Sequence, residues 1–273
     1  RYVVRGQHRH CAVPQFGADR LGVSGSHARQ YRGTIATVAP PRAAGWWHEA
    51  AELPAWLRET AGEQRIPVLV AIVAAITFQA LLPTKFLLVP WPAVGIPEAL
   101  LLAVTVAGNP LRLSRDRAFL RTASLLLTAL ITIANAISAG LLVRDLVDTH
   151  GARITNSAAT LLVSGASIYA TNIVAFALLY WEFDRGGPFA RMHGTNPYPD
   201  LLFPQQVTAG IAAPDWEPRF FDYLYVSFTN ATAFSPTDTM PLSRWAKLLM
   251  LVQSAVALVT IGLVIARAVN VLQ

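Results

Sequence analysis

The chain has 273 residues, of which 53% are hydrophobic and 14% charged, with a mean hydropathy of +0.41. A soluble domain carries about a quarter charged residues, so too few polar side chains are present to cover a soluble globule. The formal charge of +6 is carried almost wholly by arginines at the ends of apolar runs, Lys85 and Lys247 being the only lysines; this argues against a nucleic-acid partner and reads as membrane topology.

Residues 1–64 hold eight arginines with scattered Gly, Pro and His and no sustained apolar period. Residues 1–45 are expected to be a disordered basic segment, and no cleavable signal peptide is visible after Arg1. Cys11 stands alone, which excludes an intrachain disulfide or a multi-cysteine metal site. Over 46–64, Trp46, Trp47, Leu53, Trp56 and Leu57 alternate with His48, Glu49, Glu52 and Arg58. That pattern suits an interfacial amphipathic helix, and equally a soluble linker.

The membrane helices of the N-terminal half are expected over 65–156. Ile66 to Leu82 is an uncharged run of 17 residues, just long enough to span. The next apolar run, Phe86 to Ala107, is broken by Pro90, Pro92 and Pro97 and carries Glu98. An intramembrane acid marks a functional site by default. Gly95-Ile96-Pro97-Glu98 also reads as a helix start, with Pro in the first turn and an acid at the positive end of the dipole. The expected second helix is therefore short, Ile96 to Gly108, with Glu98 at the interface. Asn109-Pro110 stops it, and Arg112, Arg115, Arg117 and Arg121 form the strongest cytoplasmic marker in the chain. Ala123 to Val143 is the third span, with Asn135 and Ser138 as hydrogen-bonding glue between helices.

Over 157–273 the order is a helix, a long loop, a half-helix and a helix. Ala158 to Trp181 is the fourth span, with Gly165, Ala166, Ser167 and Ala170 for close packing and Tyr169, Asn172, Tyr180 and Trp181 as polar handles and interfacial belt. Residues 182–219 are a Pro- and Gly-rich loop whose aromatic content predicts order against the bundle. Phe220 to Phe234 is amphipathic, Ser235-Pro236-Thr237-Asp238 is a turn, and Leu248 to Ala266 is the last span.

Catalytic patterns are missing. The six histidines lie outside the spans, and there is no phosphate-binding loop, nucleophile elbow or dinucleotide fingerprint. No enzyme activity, cofactor or metal is expected. Glu182, Asp184 and Asp200 are the acids on which a membrane-enzyme reading would have to rest.

An amphipathic half-helix, a tight polar turn and a full span in succession is the order of a re-entrant pore loop, whose returning backbone is tolerated at membrane depth only where it is buried or lines water. The stretch Ser227-Phe-Thr229-Asn-Ala-Thr232-Ala-Phe234-Ser235-Pro236-Thr237-Asp238-Thr-Met-Pro241-Leu-Ser243-Arg-Trp245-Ala-Lys247 resembles the pore segment of the potassium-channel superfamily. That family writes Thr-x-x-Thr-Thr-Val-Gly-Tyr-Gly-Asp, then Pro two residues on, a Ser or Thr, and a cation opening the inner helix. Thr232, Asp238, Pro241, Ser243, Trp245 and Lys247 fall on motif positions without a gap. The resemblance implies filter positions at Thr232, Phe234, Ser235, Pro236, Thr237 and Asp238. Ser227, Thr229, Pro241, Ser243, Trp245 and Lys247 would support them, in a homo-oligomer, a tetramer by the resemblance alone, that passes monovalent cations. The departure is central: Phe234-Ser235-Pro236-Thr237 stands where the family has Val-Gly-Tyr-Gly, and those residues do not freely adopt the backbone angles that aim successive carbonyls at an ion. A wider, weakly selective ring of the Ser235 and Thr237 hydroxyls and the Asp238 carboxylate is the corresponding expectation. The same turn reads equally as a cap on the final helix. The C-terminal block also resembles an uncharacterised group of bacterial membrane proteins, which implies no mechanism.

The expected fold is thus an all-α, multi-pass bundle of about five spans in the cell membrane, its partner the lipid bilayer. With a cytoplasmic N-terminus, eleven cationic residues fall inside and four, Lys85, Arg144, Arg153 and Arg267, outside. The long loop and the turn then face the cytoplasm, opposite to potassium channels and like the inverted pore of ionotropic glutamate receptors, unless the second helix fails to cross. Cation conduction leads; a non-conducting structural or assembly protein, or a small transporter, is the alternative.

Overall fold

The computed structural model describes residues 54–108, 118–147, 158–208, 211–232 and 238–272, which are mostly helical. The segment expected to be disordered, the first part of the interfacial helix, the arginines at 112, 115 and 117, and Phe234, Ser235, Pro236 and Thr237 lie outside them. Three helices are long and apolar enough to cross a membrane: α3 (Ala118–Val147), α4 (Ala158–Phe183) and α8 (Arg244–Leu272), the content of a multi-pass membrane protein. In lipid such runs become helices because every backbone group must be satisfied within the segment. Two shorter apolar helices precede them, α1 (Ile66–Ala80) and α2 (Pro92–Gly108), about 22 and 25 Å long at 1.5 Å per residue.

α4 is the central post. In its most apolar stretch 67% is buried, against 39% for α3 and 22% for α8. It packs antiparallel to α8: the Phe183 and Trp245 rings meet at one end, 5.7 Å apart. At the other end a Cβ on Gly165 would lie 2.7 Å from a Val264 methyl. Close approach at a small residue supplies the van der Waals contact that drives helix association in lipid.

The start of α2 differs from the expectation. The helix begins at Pro92, not Ile96, because the Pro90 and Trp91 carbonyls accept from the amides of Ala93, Val94 and Gly95, and Pro92, lacking an N–H, suits the first turn. Pro97 is inside the helix, where it costs one intrahelical bond. Glu98 consequently sits in the second turn, not the first, and is fully buried within the protein, 0% exposed.

Four contacts fix the run of the helices. Arg65 donates to the Thr105 carbonyl at 2.5 Å, placing the end of α2 at the start of α1. A Cβ on Gly108 would meet Leu120, so α3 starts there too. Ser124 donates to Glu182, bringing the end of α4 to the same end of the bundle. Lys85 pairs with Asp145 at 2.8 Å, tying the α1–α2 link to the opposite end.

The stretch 54–64 holds a single 3-10 turn, Ala55–Leu57, with Leu57 buried. The loop after α4 is ordered where described. It holds the short helices α5 (Pro188–Met192) and α6 (Pro204–Val207) and a strand β1 (Leu201–Leu202) paired antiparallel with β2 (Met240–Pro241). Between these strands runs α7 (Phe220–Thr232).

Candidate functional site

The residues expected to form a pore segment lie on α7, the loop after it and the start of α8, and the geometry follows from how α7 is held at each end. Its first amides would lack partners; Glu63 accepts from Phe220 N and from the Trp181 indole at 2.7 Å, and Asp222 accepts from Arg219 N at 2.8 Å. Burial raises the Glu63 carboxyl above its ordinary range, against the opposing pull of the Phe220 and Trp181 donors and of Arg191.

Around this end a polar clasp binds loop, α4, α7 and α8. The buried Asp184 accepts from the amides of Asp200 and Leu201 at 2.9 and 3.1 Å and from the Tyr223 hydroxyl at 2.7 Å. Asp200 in turn accepts from Arg185 N at 3.0 Å and from the Trp245 indole at 2.9 Å. The buried Arg185 donates to the carbonyls of Asn196 and Trp56, with its guanidinium 5.1 Å from the Trp56 ring. Arg191 donates to the carbonyls of Trp181 and Asp184. Arg185 has φ +54, and Gly186 and Gly187 also have positive φ. At Gly187 a Cβ would lie 2.8 Å from the Glu182 carbonyl, so only glycine turns the chain back there. The acids at 184 and 200 are used as acceptors by the fold.

The far end of α7 is held by Gln253, the single glutamine of α8. Gln253 accepts from the Tyr180 hydroxyl at 2.6 Å and from Asn230 Nδ2 at 2.9 Å, and donates to Ser227 O and Oγ at 2.9 and 2.7 Å. The Ser227 hydroxyl donates to the Ile173 carbonyl at 2.6 Å. Asn230 also donates to Met250 O and accepts from Ser254, while Ala231 packs on Ile173 and Ala257. α7 therefore runs parallel to α8 and ends level with Ala257, about 20 Å from the start of a 29-residue helix. After it, Asp238 and Thr239 line one cavity of about 150 Å³ with Phe221, Asp222 and Tyr225. The chain is back beside the first turns of α7.

Of the motif residues, Ser227 is drawn into the Gln253 hub, Pro241 pairs with Leu201, and Trp245 joins the clasp. The Ser243 hydroxyl accepts from Ala246 N at 3.3 Å, capping α8. Thr229 and Thr232 bond back to α7 carbonyls. Asp238 and Lys247 are exposed. Tyr180, expected as a polar handle of the fourth span, serves as one toward Gln253; Asn230 and Gln253 were not singled out from sequence, and a lone glutamine within the last span was the available signal. Protein-family models, curated proteins and solved structures yield no match to this chain.

Proposed function

We propose that the last third of this membrane protein is a pore-loop module, with α4 as outer helix, α7 as re-entrant half-helix, residues 233–238 as the constriction and α8 as the conduit wall. The observation that carries this reading is that α7 stops half-way along α8 and the chain then returns to the side it came from, which is the path of a re-entrant segment and not of a span. Within one chain α7 is closed against α4 and α8 by hydrogen bonds, so the conduit lies between copies. Phe221, Tyr225 and Phe228, 70%, 54% and 52% exposed, form the outward face of α7 at helical spacing and supply the apolar contact for that assembly. Without filter glycines, hydroxyls and one carboxylate per copy favour cations with weak selectivity.

The return of α2 to the start of α1 supports five crossings, and the arginine bias then puts the clasp and the constriction on the cytoplasmic side. Purified oligomer in planar bilayers is expected to pass cation current, and Asp238→Ala to lower its cation preference. A monomer in detergent, or a folded oligomer that stays silent, overturns conduction. It leaves the second reading, a packing and assembly module, which the fully satisfied Gln253 hub favours.

A further inference from the structure

The stretch before α1 and the loop after α4 together line a cavity of about 320 Å³, against about 150 Å³ for the one at Asp238. Trp56 and Trp216 supply aromatic walls, Gln205, Gln206 and Thr208 supply polar groups, and the other described lining residues are Ala, Pro and Val. Apolar and aromatic walls with a few polar groups, at this volume, are the make-up of a small-molecule site.

Both indoles are fixed by the clasp. The Trp56 carbonyl accepts from Arg185 at 2.6 Å, and the guanidinium lies 5.1 Å from the Trp56 ring. Trp216 meets the buried Phe203 edge-on at 6.0 Å, and Phe203 meets Tyr223 in the same way at 5.5 Å. Gln206 Oε1 accepts from Phe203 N at 2.8 Å, which fixes its amide. Walls held in place without a ligand spare the ligand the cost of ordering them. Gln206 Nε2 and Gln205 Oε1 are enclosed and have no hydrogen-bond partner among the described residues; one is a donor and the other an acceptor, and each costs stability while unmet.

This lining narrows the ligand. No charged side chain lines the cavity among the described residues, so the enclosed part of the ligand is uncharged. A saccharide would press its ring of hydroxyls against walls that are mostly apolar, and an acyl chain would leave both carboxamides unmet. A nucleobase meets both demands: its flat faces stack on an indole, and its edge sets donors beside acceptors, which a glutamine carboxamide pairs with.

We propose that this cavity binds a nucleobase, presented as a neutral nucleoside, with its ring against the Trp56 and Trp216 indoles and its edge met by the carboxamides of Gln205 and Gln206. The site is separate from the constriction and does not depend on conduction.

The test is equilibrium dialysis of the full chain in detergent against labelled adenosine, guanosine, cytidine and uridine, with Tm as the check on folding. Saturable binding of at least one nucleoside, at one per chain, is expected. Ala212→Trp, which fills the cavity, is expected to abolish it. Gln205→Met, which keeps the volume and removes the carboxamide, is expected to raise Kd about tenfold, and it serves if Ala212→Trp does not fold. No saturable binding of any of the four overturns the proposal. So does an unchanged Kd in either folded variant, or displacement by ribose as effective as by the nucleoside, which would place recognition on the sugar.

Discussion

The two halves of the bundle differ in how their buried acids are met, although Asn172 Nδ2, Arg185 Nη2 and Arg191 Nη2 of the C-terminal half also lack partners among the described residues. In the C-terminal half Asp184, Asp200, Ser227 and Gln253 each meet donors or acceptors from other elements, and α4 is the most buried helix. In the N-terminal half Glu98 is as deeply buried, and the side chain that approaches it is the neutral Gln79. A satisfied network holds one geometry; an unsatisfied one of the same depth costs stability unless something else completes it.

Breaking the committed half should have the largest effect. Asp184→Ala leaves two amides and the Tyr223 hydroxyl buried without an acceptor, a loss of about 4 kcal/mol, visible as a collapse of Tm or of folded yield in detergent. Next comes a pair of glycines that sets the halves side by side. Gly165→Ala in α4 forces a Cβ into Val264 and is expected to cost about 1–3 kcal/mol. Gly140→Ala in α3, where a Cβ meets nothing within 4 Å, should change stability by about 0.5 kcal/mol or less. Equal Tm shifts in the two variants would show that the C-terminal half is not the tighter one.

The smallest effect concerns Glu63, which precedes α1 and bonds to Trp181 and Phe220 across the boundary between the halves. Burial raises its carboxyl in the folded state, so folding favours its protonated form. Its contribution is full below the unfolded value near 4.5 and is lost as pH rises through the higher folded value. Wild type should lose slightly more stability than Glu63→Gln between pH 4 and 7, measured as Tm against pH; parallel curves would remove the linkage.

The apolar runs of α3, α4 and α8 were legible to within a few residues because a stretch without charge has one stable form in lipid. The start of α2 was not. Pro92 and Pro97 both suit a first turn, and only the carbonyls of Pro90 and Trp91 decide between them, with the consequence that Glu98 falls in the second turn instead of the first. The clasp was illegible for another reason: its members at 56, 184, 200, 223 and 245 are far apart in the chain, and each is an ordinary loop or helix-end residue until the fold collects them. The motif residues at 227, 241 and 245 proved to sit at the junctions of α7 with its neighbours. Gln253, which joins α4 to α7, carried no motif at all.

The two-residue ladder between β1 and β2 joins Leu202 to Met240, and everything between those residues, α7 included, is a closed hoop of chain. A hoop closed at its base has a fixed contour. β2 leads in three residues to the first turn of α8. The base of the hoop that carries the half-helix is thus the same short ladder that leads into the last span, so the two elements share one anchor.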